Sequence, residues 1–534
     1  MAVPKEAHFV KDITKSKVPC PAITHFLNCA KYKISLLINS LLFRQMKISR
    51  LMSTQHPDNV TIPFFAENGV MNGDDEVKEA FYTFSNLGVD EQLWDAEGKE
   101  VDTFVVKKLL SRHPEFFKKN ILGKDKFITL RVPNPDVEKD EGKILLEALH
   151  SIPRNFDIGK KFYNEDIGPV FEVVIPMCSS EKNLIRIHEY YKQFIIKNQE
   201  KQIYENDISL REWLGQMNPH DIRVTPLFET KDAIINADKY VQKYVEFEKI
   251  KEFQRVWFAR SDPALNYGST SAVLLGKIGL QKLYEFQEKS SITIYPILGC
   301  GSAPFRGNFK PTNADKMLLG YPSIQTFTMQ SAFKYDYNPR KVLNAVEKIN
   351  ETSRKAPSPI DVEFASNLIN KMEVSYQESI KELAPIINEF NQFIPQRRKR
   401  KLHIDLFGYA RKQGEISLPR AINFCATLYS LGLPPDLLGL SVLTPQEIDK
   451  IRDCYKTIDN DMADALQYFN KNNLTFFPLP VQKQIEKALQ LFDFQINESH
   501  QIITTEIMTA FKKQNNSILQ QKVLEAAHLR KFLG

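Results

Sequence analysis

Short runs of apolar residues recur along the chain, and several of them end at or close to a charged residue. The runs at 222–228 and 256–259 are followed by Glu229 and Asp262, and the run at 292–298 leads into a glycine loop that carries Arg306. Nearly continuous apolarity with β-branched and aromatic side chains is typical of parallel strands, whose two faces are both buried. The pattern therefore predicts parallel strands with two carboxylates and a guanidinium at one edge of the sheet.

The alternation of strand and helix patterns extends over most of the chain. Segments with helical period are long enough to cross from one parallel strand to the next. We count seven or eight such units, which favours a closed (β/α)8 TIM-type barrel over an open doubly wound sheet. Further strands are predicted at 127–130, 170–175, 326–329 and 402–409, followed by Arg131, Pro176, Gln330 and Arg411, and the crossover helices include 181–197, 231–252 and 271–289.

The chain is longer than a minimal barrel. It has 534 residues, whereas a typical TIM barrel needs about 250. After Arg411 the pattern becomes predominantly helical, at 418–431, 444–469, 481–497 and 504–532. We therefore expect an α/β protein in which residues 46–534 form a single catalytic barrel domain with extensive additional helices, especially in its C-terminal part.

The positive charge of the sequence is concentrated at its start. The formal net charge is +6, of which +5 falls in residues 1–45. An apolar stretch at 34–43 is too short to span a bilayer, and no small-residue cleavage site follows it. We expect residues 1–45 to be a disordered or dispensable extension, or translated upstream sequence, and we predict no membrane association.

Composition argues against several other classes of protein. Because the body of the chain is nearly neutral, bulk charge gives no reason to expect nucleic-acid binding. The basic run at 397–401 has no interleaved aromatic residues, which favours a solvated or anion-binding segment. Six scattered cysteines form no Cys-x-x-Cys pair and have no histidine at zinc spacing, which is typical of a reduced, cytoplasmic protein.

The polar residues near the predicted strand ends are candidates for chemistry. Either Glu229 or Asp262 alone would more often be a capping or salt-bridged acid, but as a pair after successive strands they favour a metal site. His56 precedes Pro57 in a polar turn, which restricts its backbone to extended conformations. An isolated histidine of this kind is usually structural. Its occurrence in one chain with the carboxylate pair and the loop of Arg306 favours a catalytic role instead.

Motifs in this order resemble those of the archaeal-type phosphoenolpyruvate carboxylases. The resemblance covers about residues 46–534 and is to the short form of the family, not to the much longer bacterial and plant carboxylases. The motifs are Thr-Gln-His-Pro-Asp-Asn at 54–59, Thr-Leu-Arg-Val-Pro-Asn-Pro at 129–135, Pro-Leu-Phe-Glu-Thr at 226–230, Ala-Arg-Ser-Asp-Pro-Ala at 259–264, and the loop at 299–307.

The resemblance implies roles for six residues. Glu229 and Asp262 match the metal ligands, with Mg²⁺ as the expected cation and Mn²⁺ as the alternative. The residues that match substrate-binding arginines, whose planar guanidinium suits phosphate and carboxylate, are Arg131, Arg306 and Arg420. His56 matches the essential histidine and, with Arg306, makes up the catalytic set. The loop at 299–307 lacks the consecutive glycines and second arginine of the larger enzymes.

The resemblance also implies a reaction. Bicarbonate attacks the phosphorus of phosphoenolpyruvate and gives carboxyphosphate and a metal-stabilised enolate of pyruvate. His56 removes the carboxyphosphate proton, and the enolate captures the carbon dioxide released, so that the products are oxaloacetate and phosphate. The expected biology is anaplerotic carbon fixation by a cytoplasmic homotetramer that binds neither nucleic acid nor membrane.

Alternatives remain open at this point. Another magnesium-dependent barrel enzyme acting on phosphoenolpyruvate or pyruvate would need similar carboxylates and arginines, but its phosphate release would not depend on bicarbonate. A noncatalytic binding homologue is the other alternative, and the intact set of His56, Glu229, Asp262 and Arg306 argues against it. The last residue, Gly534, either reaches the active site, where its carboxylate would pair with an arginine, or only ends a helix.

Overall fold

Eight parallel strands close into a barrel in the computed structural model, which describes residues 48–97, 102–139, 142–398, 412–413 and 416–534. Each strand pairs with the next along the chain, and the last pairs with the first. The predicted (β/α)8 barrel is therefore confirmed. The strands are β1 (Leu51–Ser53), β2 (Glu91–Asp95), β3 (Phe127–Arg131), β4 (Val170–Ile175), β5 (Val224–Phe228), β6 (Phe253–Ala259), β7 (Thr293–Gly299) and β8 (Thr326–Met329).

Helices follow the strands and dominate the described part of the chain after β8. The α-helices are α1 (Gly73–Asn86), α2 (Val105–Arg112), α3 (Pro114–Lys119), α4 (Gly142–Tyr163), α5 (Glu181–Tyr190), α6 (Leu210–Leu214), α7 (Lys231–Ile235), α8 (Ala237–Glu248), α9 (Ser261–Tyr267), α10 (Ser269–Lys289), α11 (Ala314–Gly320), α12 (Pro339–Glu351), α13 (Val362–Asn391), α14 (Ala421–Ser430), α15 (Pro445–Cys454), α16 (Ile458–Leu466), α17 (Leu479–Leu489), α18 (Glu498–Lys512) and α19 (Leu519–Arg530). Short 3-10 turns connect several of them, including Pro304–Arg306 after β7.

Two barrel strands were not predicted from the sequence. β1 has three residues, and β2 reads Glu-Gln-Leu-Trp-Asp, so neither shows the apolar run that marked the other six. Both strands are nevertheless buried. In β2, Glu91 pairs with Arg255 inside the barrel and Asp95 pairs with Arg131 at the cavity. The run at 402–409 lies outside the described residues, as do residues 1–45, so their assignments stay predictions. The compact unit that contains the barrel spans Ser49–Gly534.

Three of the predicted helices are each two helices in the structure. The segment 231–252 divides between α7 and α8 at Asn236, which ends one helix and begins the next. The segments 444–469 and 504–532 divide in the same way, into α15 and α16 and into α18 and α19. Apolar periodicity continues through these breaks because both helices of each pair bury a face against the same core.

Inward-facing residues form layers along the barrel axis. An apolar layer consists of Met52, Leu93, Val174, Leu227, Trp257 and Ile297. Two residues earlier on three of these strands lie Glu91, Glu172 and Arg255, whose side chains also point inward because strand residues alternate between faces. Arg255 Nη1 lies 2.7 Å from an oxygen of each glutamate. The barrel is thus closed beneath its apolar layer by a buried ionic cluster.

The basic run at 397–401 is not a solvated surface where the structure describes it. Arg397 and Arg398 are both buried. Arg397 donates to the carbonyl oxygens of Asn59 and Val60 at 3.0 Å, so its charge is used inside the fold. These two arginines therefore contribute no nucleic-acid-binding surface, and the solvated interpretation is wrong for them. Residues 399–401 lie outside the described residues.

The cysteines of the described residues are free thiols. Four cysteines are buried free thiols: Cys178, Cys300, Cys425 and Cys454. Within the described ranges, no helix combines the length and apolarity needed to cross a membrane.

Replacement of Arg255 by methionine is expected to destabilise the fold strongly. The change would leave two buried carboxylates facing each other without their cation, which typically costs about 3–5 kcal/mol. The free energy of unfolding from urea titration measures this loss. The control is Lys124→Met, which removes an exposed pair with Glu165 and should cost no more than about 1 kcal/mol. Equal losses in the two variants would contradict the structural role of the buried cluster.

Candidate active site

The six residues selected from the sequence converge on one cavity at the carboxyl ends of the strands. The cavity has a volume of about 150 Å³ and is lined by all six. They are His56 in the loop after β1, Arg131 at the end of β3, Glu229 directly after β5, Asp262 in the first turn of α9, Arg306 in the 3-10 turn after β7, and Arg420 at the start of α14. Residues separated by more than 360 positions therefore face one space.

The two carboxylates, Glu229 and Asp262, line the same cavity. Loss of hydration raises the pKa of Glu229 well above its usual value, and the nearby charges of Asp262 and Glu97 raise it further. Loss of hydration also raises the pKa of Asp262, against the opposing charges of Arg131, Arg420 and Arg306. One backbone donor, Met177 N–H, lies 3.2 Å from Glu229 Oε1. Two acids that raise each other's cost of ionisation in an enclosed space favour a bound cation.

The donor set of this pair fits a hard divalent cation. Magnesium is commonly held by one or two carboxylates and completes its octahedron with water and substrate oxygens. Among the described residues, no group of three or more His, Cys, Asp or Glu side chains is arranged to hold a metal. A cation at Glu229 and Asp262 would therefore keep most of its coordination positions for water and substrate.

Arg131 is held by acids from the neighbouring strand. Asp95 is its partner in the β2–β3 register, and Arg131 Nε and Nη2 donate to the two Asp95 oxygens at 2.9 and 2.6 Å. Glu97 Oε2 lies 3.1 Å from the same Nε. Loss of hydration raises the pKa of Glu97 to about 7, although the charge of Arg131 opposes this shift. Asp95 thus fixes the orientation of a guanidinium at the cavity wall.

Arg306 is fully buried and connects several segments of the chain. Its Nε donates to Ser261 Oγ at 3.1 Å, and its Nη2 donates to Gln330 Oε1 at 2.7 Å. Its Nη1 lies 3.4 Å from Asp58 Oδ2. Asp58 also accepts a hydrogen bond from Ser331 Oγ at 2.5 Å. The guanidinium is therefore held in one position by the loops after β1, β6 and β8.

Two glycines of the loop at 299–307 allow Arg306 to take this position. A Cβ on Gly301 would lie 2.8 Å from Arg306 Cζ, which shows how closely the backbone approaches the guanidinium. Gly307 has a φ of +124°, in a region that side chains strongly disfavour, and ends the 3-10 turn. The loop therefore needs glycine at both sites, as a phosphate-binding or guanidinium-supporting loop commonly does.

Gly534 contacts Arg306, a residue of the cavity lining. Its backbone oxygen accepts a hydrogen bond of 2.7 Å from Arg306 Nη1, and the preceding Leu533 N–H donates to the Asp58 carbonyl oxygen at 3.2 Å. A Cβ on Gly534 would lie 1.9 Å from the Ile422 carbonyl oxygen, so no side chain fits there. Of the two alternatives for this residue, docking in the site is the one observed.

His56 contributes an imidazole to the lining of the cavity. Its Nδ1 lies 2.8 Å from Thr54 Oγ1, which leaves Nε2 available to the cavity. Loss of hydration lowers the pKa of His56 well below 6.5, and the charges of Arg306, Arg131, Lys334 and Arg398 add to this shift. The imidazole is therefore neutral at neutral pH and able to accept a proton.

A buried ionic cluster supports the backbone that carries His56. Lys334 Nζ donates to the Thr54 carbonyl oxygen at 2.6 Å and to Glu79 Oε1 at 2.7 Å. Arg398 donates to the same Glu79 oxygen at 2.6 Å, and its Nε lies 3.3 Å from the His56 carbonyl oxygen. The two cations hold the pKa of Glu79 at about 2 despite its burial. The histidine segment is thus fixed from behind by charge pairs.

Several cavity residues were not selected from the sequence. Asp95 ends β2 and Glu97 follows it. The apolar pattern did not reveal this strand, so no signal marked either residue. Gln55 and Arg260 stand inside recognised motifs but had no assigned role. Three buried N–H groups of the lining have no hydrogen-bond partner among the described residues: Gln55 Nε2, Trp257 Nε1 and Arg260 Nε. A cavity with unpaired donors and several arginines is suited to anionic ligands.

A protein-family model and several known proteins match this chain over most of its length. A family model described as phosphoenolpyruvate carboxylase matches residues 48–534. Proteins named phosphoenolpyruvate carboxylase from Methanospirillum hungatei and Methanothermobacter thermautotrophicus are 45% and 46% identical over 489 residues, 92% of this chain and 100% of each relative. The protein of that name from Pyrococcus furiosus is 48% identical over 488 residues, 91% of this chain and 100% of the relative. The chain therefore belongs to the phosphoenolpyruvate carboxylase family.

Proposed function

We propose that this protein forms oxaloacetate and phosphate from phosphoenolpyruvate and bicarbonate. The observation that carries the proposal is the meeting of a neutral histidine, two acids and three arginines in one cavity of a chain from this family. The overall reaction requires two anions to be bound side by side, one of them to be activated, and water to be kept away. The described residues offer a group for each requirement.

Substrate binding is assigned to the arginines. Arg131, Arg306 and Arg420 line the cavity from three directions, and guanidinium groups match phosphate and carboxylate oxygens in pairs. Arg131 and Arg306 are already oriented by Asp95 and Gln330, so little side-chain freedom is lost on binding. These residues would stabilise the charge that develops as the phosphoryl group moves to bicarbonate.

Glu229 and Asp262 would hold the divalent cation. We propose Mg²⁺, with Mn²⁺ as the alternative, because carboxylate oxygens suit both ions. When bound, the cation supplies positive charge next to the phosphate and enolate oxygens of the substrate. The two acids themselves contribute by facing the cavity together, where their mutual repulsion favours a cation over the empty pair.

His56 is assigned the proton transfer that follows phosphoryl transfer. Its neutral imidazole accepts the proton of the carboxyl group of carboxyphosphate, which then breaks into carbon dioxide and phosphate. The carbon–oxygen bond electrons pass to the phosphate oxygen, and the enolate carbon then bonds to carbon dioxide. Leu227, Trp257 and Leu265 give this part of the lining apolar surface, which limits the access of water that would protonate the enolate to pyruvate.

The experiment that tests the proposal uses purified protein with phosphoenolpyruvate, Mg²⁺ and labelled bicarbonate. Labelled oxaloacetate is the expected product. Phosphate release that does not depend on bicarbonate would instead favour another barrel enzyme acting on phosphoenolpyruvate. Folded protein that binds phosphoenolpyruvate without turnover would favour a noncatalytic homologue.

The expectations about assembly and location remain proposals. We propose a cytoplasmic homotetramer, as the family resemblance implies. Exposed apolar side chains between Ile203 and Leu214, including Tyr204, Ile208 and Trp213, offer surface for association.

Asp262→Asn and Glu229→Gln are each expected to lower turnover by about a thousandfold with the fold intact, because both keep side-chain shape and remove ligand charge. The double variant should lose little more than either single variant, since the two acids act as a unit. Steady-state kinetics at varied Mg²⁺ and thermal unfolding measure the two effects. Glu373→Gln, which alters a salt-bridged acid outside the cavity, is the control. A near-normal rate at limiting Mg²⁺ would refute the assignment.

His56→Asn is expected to change the products rather than to stop phosphoenolpyruvate cleavage. Phosphoryl transfer to bicarbonate should continue, while oxaloacetate formation falls by about a hundredfold and pyruvate accumulates. The ratio of oxaloacetate to pyruvate is the measurement. His188→Asn is the control, because His188 is buried among Tyr244 and Asp221 outside the cavity lining. An unchanged product ratio in His56→Asn would return His56 to a structural role.

Gly534→Ala is expected to lower turnover by about a hundredfold, since the added Cβ must displace the backbone that Arg306 holds and shift the guanidinium. A bulky group attached after Gly534 should act in the same direction. Turnover should fall far more than the melting temperature does. Gly276→Ala is the control because a Cβ there meets nothing within 4 Å. Normal rate and substrate affinity in both altered proteins would leave Gly534 without a functional role.

A further inference from the structure

Gln55 is a buried cavity residue without an assigned role. It lies between Thr54 and His56, its side chain is 4% exposed, and it lines the cavity. Its Oε1 accepts a hydrogen bond of 3.1 Å from the Asp95 backbone N–H. Because a backbone N–H bonds only to an acceptor, this contact identifies the oxygen of the amide and leaves Nε2 as the other atom.

Gln55 Nε2 is a donor without an acceptor. It is buried and has no hydrogen-bond partner among the described residues. Other buried glutamines of the barrel are satisfied: Gln92 Nε2 donates to the Leu93 carbonyl oxygen at 2.8 Å, and Gln254 Nε2 donates to the Val224 carbonyl oxygen at 3.0 Å. A buried donor that lacks a protein acceptor, on a side chain that lines a cavity, is suited to an oxygen atom of a ligand.

The neighbours of Gln55 indicate which ligand oxygen this is. The amide is held by Asp95, the residue that orients Arg131, and it directly precedes His56 in the chain. In the proposed reaction, the carboxyl group that is activated lies next to the phosphoryl group, which the arginines bind. It also lies next to His56, which accepts its proton. The phosphate and carboxylate of phosphoenolpyruvate, by contrast, are matched by the paired donors of the arginines.

We propose that Gln55 Nε2 donates a hydrogen bond to a carboxyl oxygen of bicarbonate, and to the same oxygen in carboxyphosphate. This inference rests on the proposed function and adds a substrate-contacting residue to it. The bond orients the carboxyl group so that its hydroxyl points to His56 Nε2 while another oxygen faces the phosphorus. Gln55 thereby acts on the second substrate rather than on phosphoenolpyruvate.

The test compares the KM values of the two substrates in two variants. Gln55→Met keeps the side-chain length and removes the donor and the acceptor. Gln55→Glu keeps an acceptor for Asp95 N–H and replaces the donor with an oxygen. In both variants the KM for bicarbonate should rise by about tenfold or more, the effect of one lost hydrogen bond to an anion. The KM for phosphoenolpyruvate should change by less than about threefold, which is the change expected from a cavity substitution that does not contact this substrate.

Gln199→Met provides a matched control. Gln199 is also buried, and its Oε1 accepts the Met217 backbone N–H at 2.8 Å, but it does not line the cavity. The Gln199→Met variant should lower the melting temperature about as much as Gln55→Met does, and it should leave both KM values unchanged. A structural role of Gln55 would give the same result in the two methionine variants.

Several outcomes would overturn the inference. Unchanged KM for bicarbonate in both Gln55 variants would show that the amide makes no contact with that substrate. Equal rises in both KM values, or a rise in Gln55→Met alone, would show that Gln55 acts through Asp95 and Arg131. Failure of the proposed function is separate, because the unsubstituted protein would then form no labelled oxaloacetate.

Discussion

The buried guanidinium of Arg306 is the interaction on which the geometry of the site depends. A charge with 1% exposure is stable only if acceptors surround it. Here they come from Asp58 after β1, Ser261 after β6, Gln330 after β8 and the backbone of Gly534. Each of these segments is held in place because it supplies a hydrogen-bond acceptor to the same guanidinium. The loops of the cavity are therefore coupled, and a shift in one would leave a buried charge unpaired.

Charge balance governs the rest of the cavity. The enclosed cavity hydrates its carboxylates poorly, and this raises the pKa values of Glu229, Asp262 and Glu97. The nearby charge of Arg131 offsets part of this cost for all three acids. A cation held by the acids and an anion bound by the arginines would offset this cost. The cavity thus carries unsatisfied charge, which suits charged ligands.

Layering along the barrel axis separates stability from chemistry. The cluster of Arg255 with Glu91 and Glu172 lies at one level, the apolar layer that includes Leu93 and Trp257 lies above it, and Asp95 and Ala259 reach the cavity. The alternation of strand side chains spaces these levels by two residues. The floor of the cavity is therefore apolar, while Glu229, Asp262 and Arg306 lie beyond the ends of the strands.

Local sequence patterns were sufficient for much of the fold and of the site. Six barrel strands were recognisable because continuous apolarity is a local property, and Glu229, Arg131 and Arg306 were recognisable because they stand at or shortly after such strands. The strand β2 was not, since the burial of Glu91 depends on Arg255 and Thr129, which lie far along the chain. The strand β1 was not, since it has only three residues. Only the tertiary structure brought Asp95 to Arg131, Arg398 behind His56, and Gly534 to Arg306. The physical reason is that hydrogen bonds and ion pairs between distant segments leave no periodic trace in the sequence, whereas the burial of a strand or helix face does.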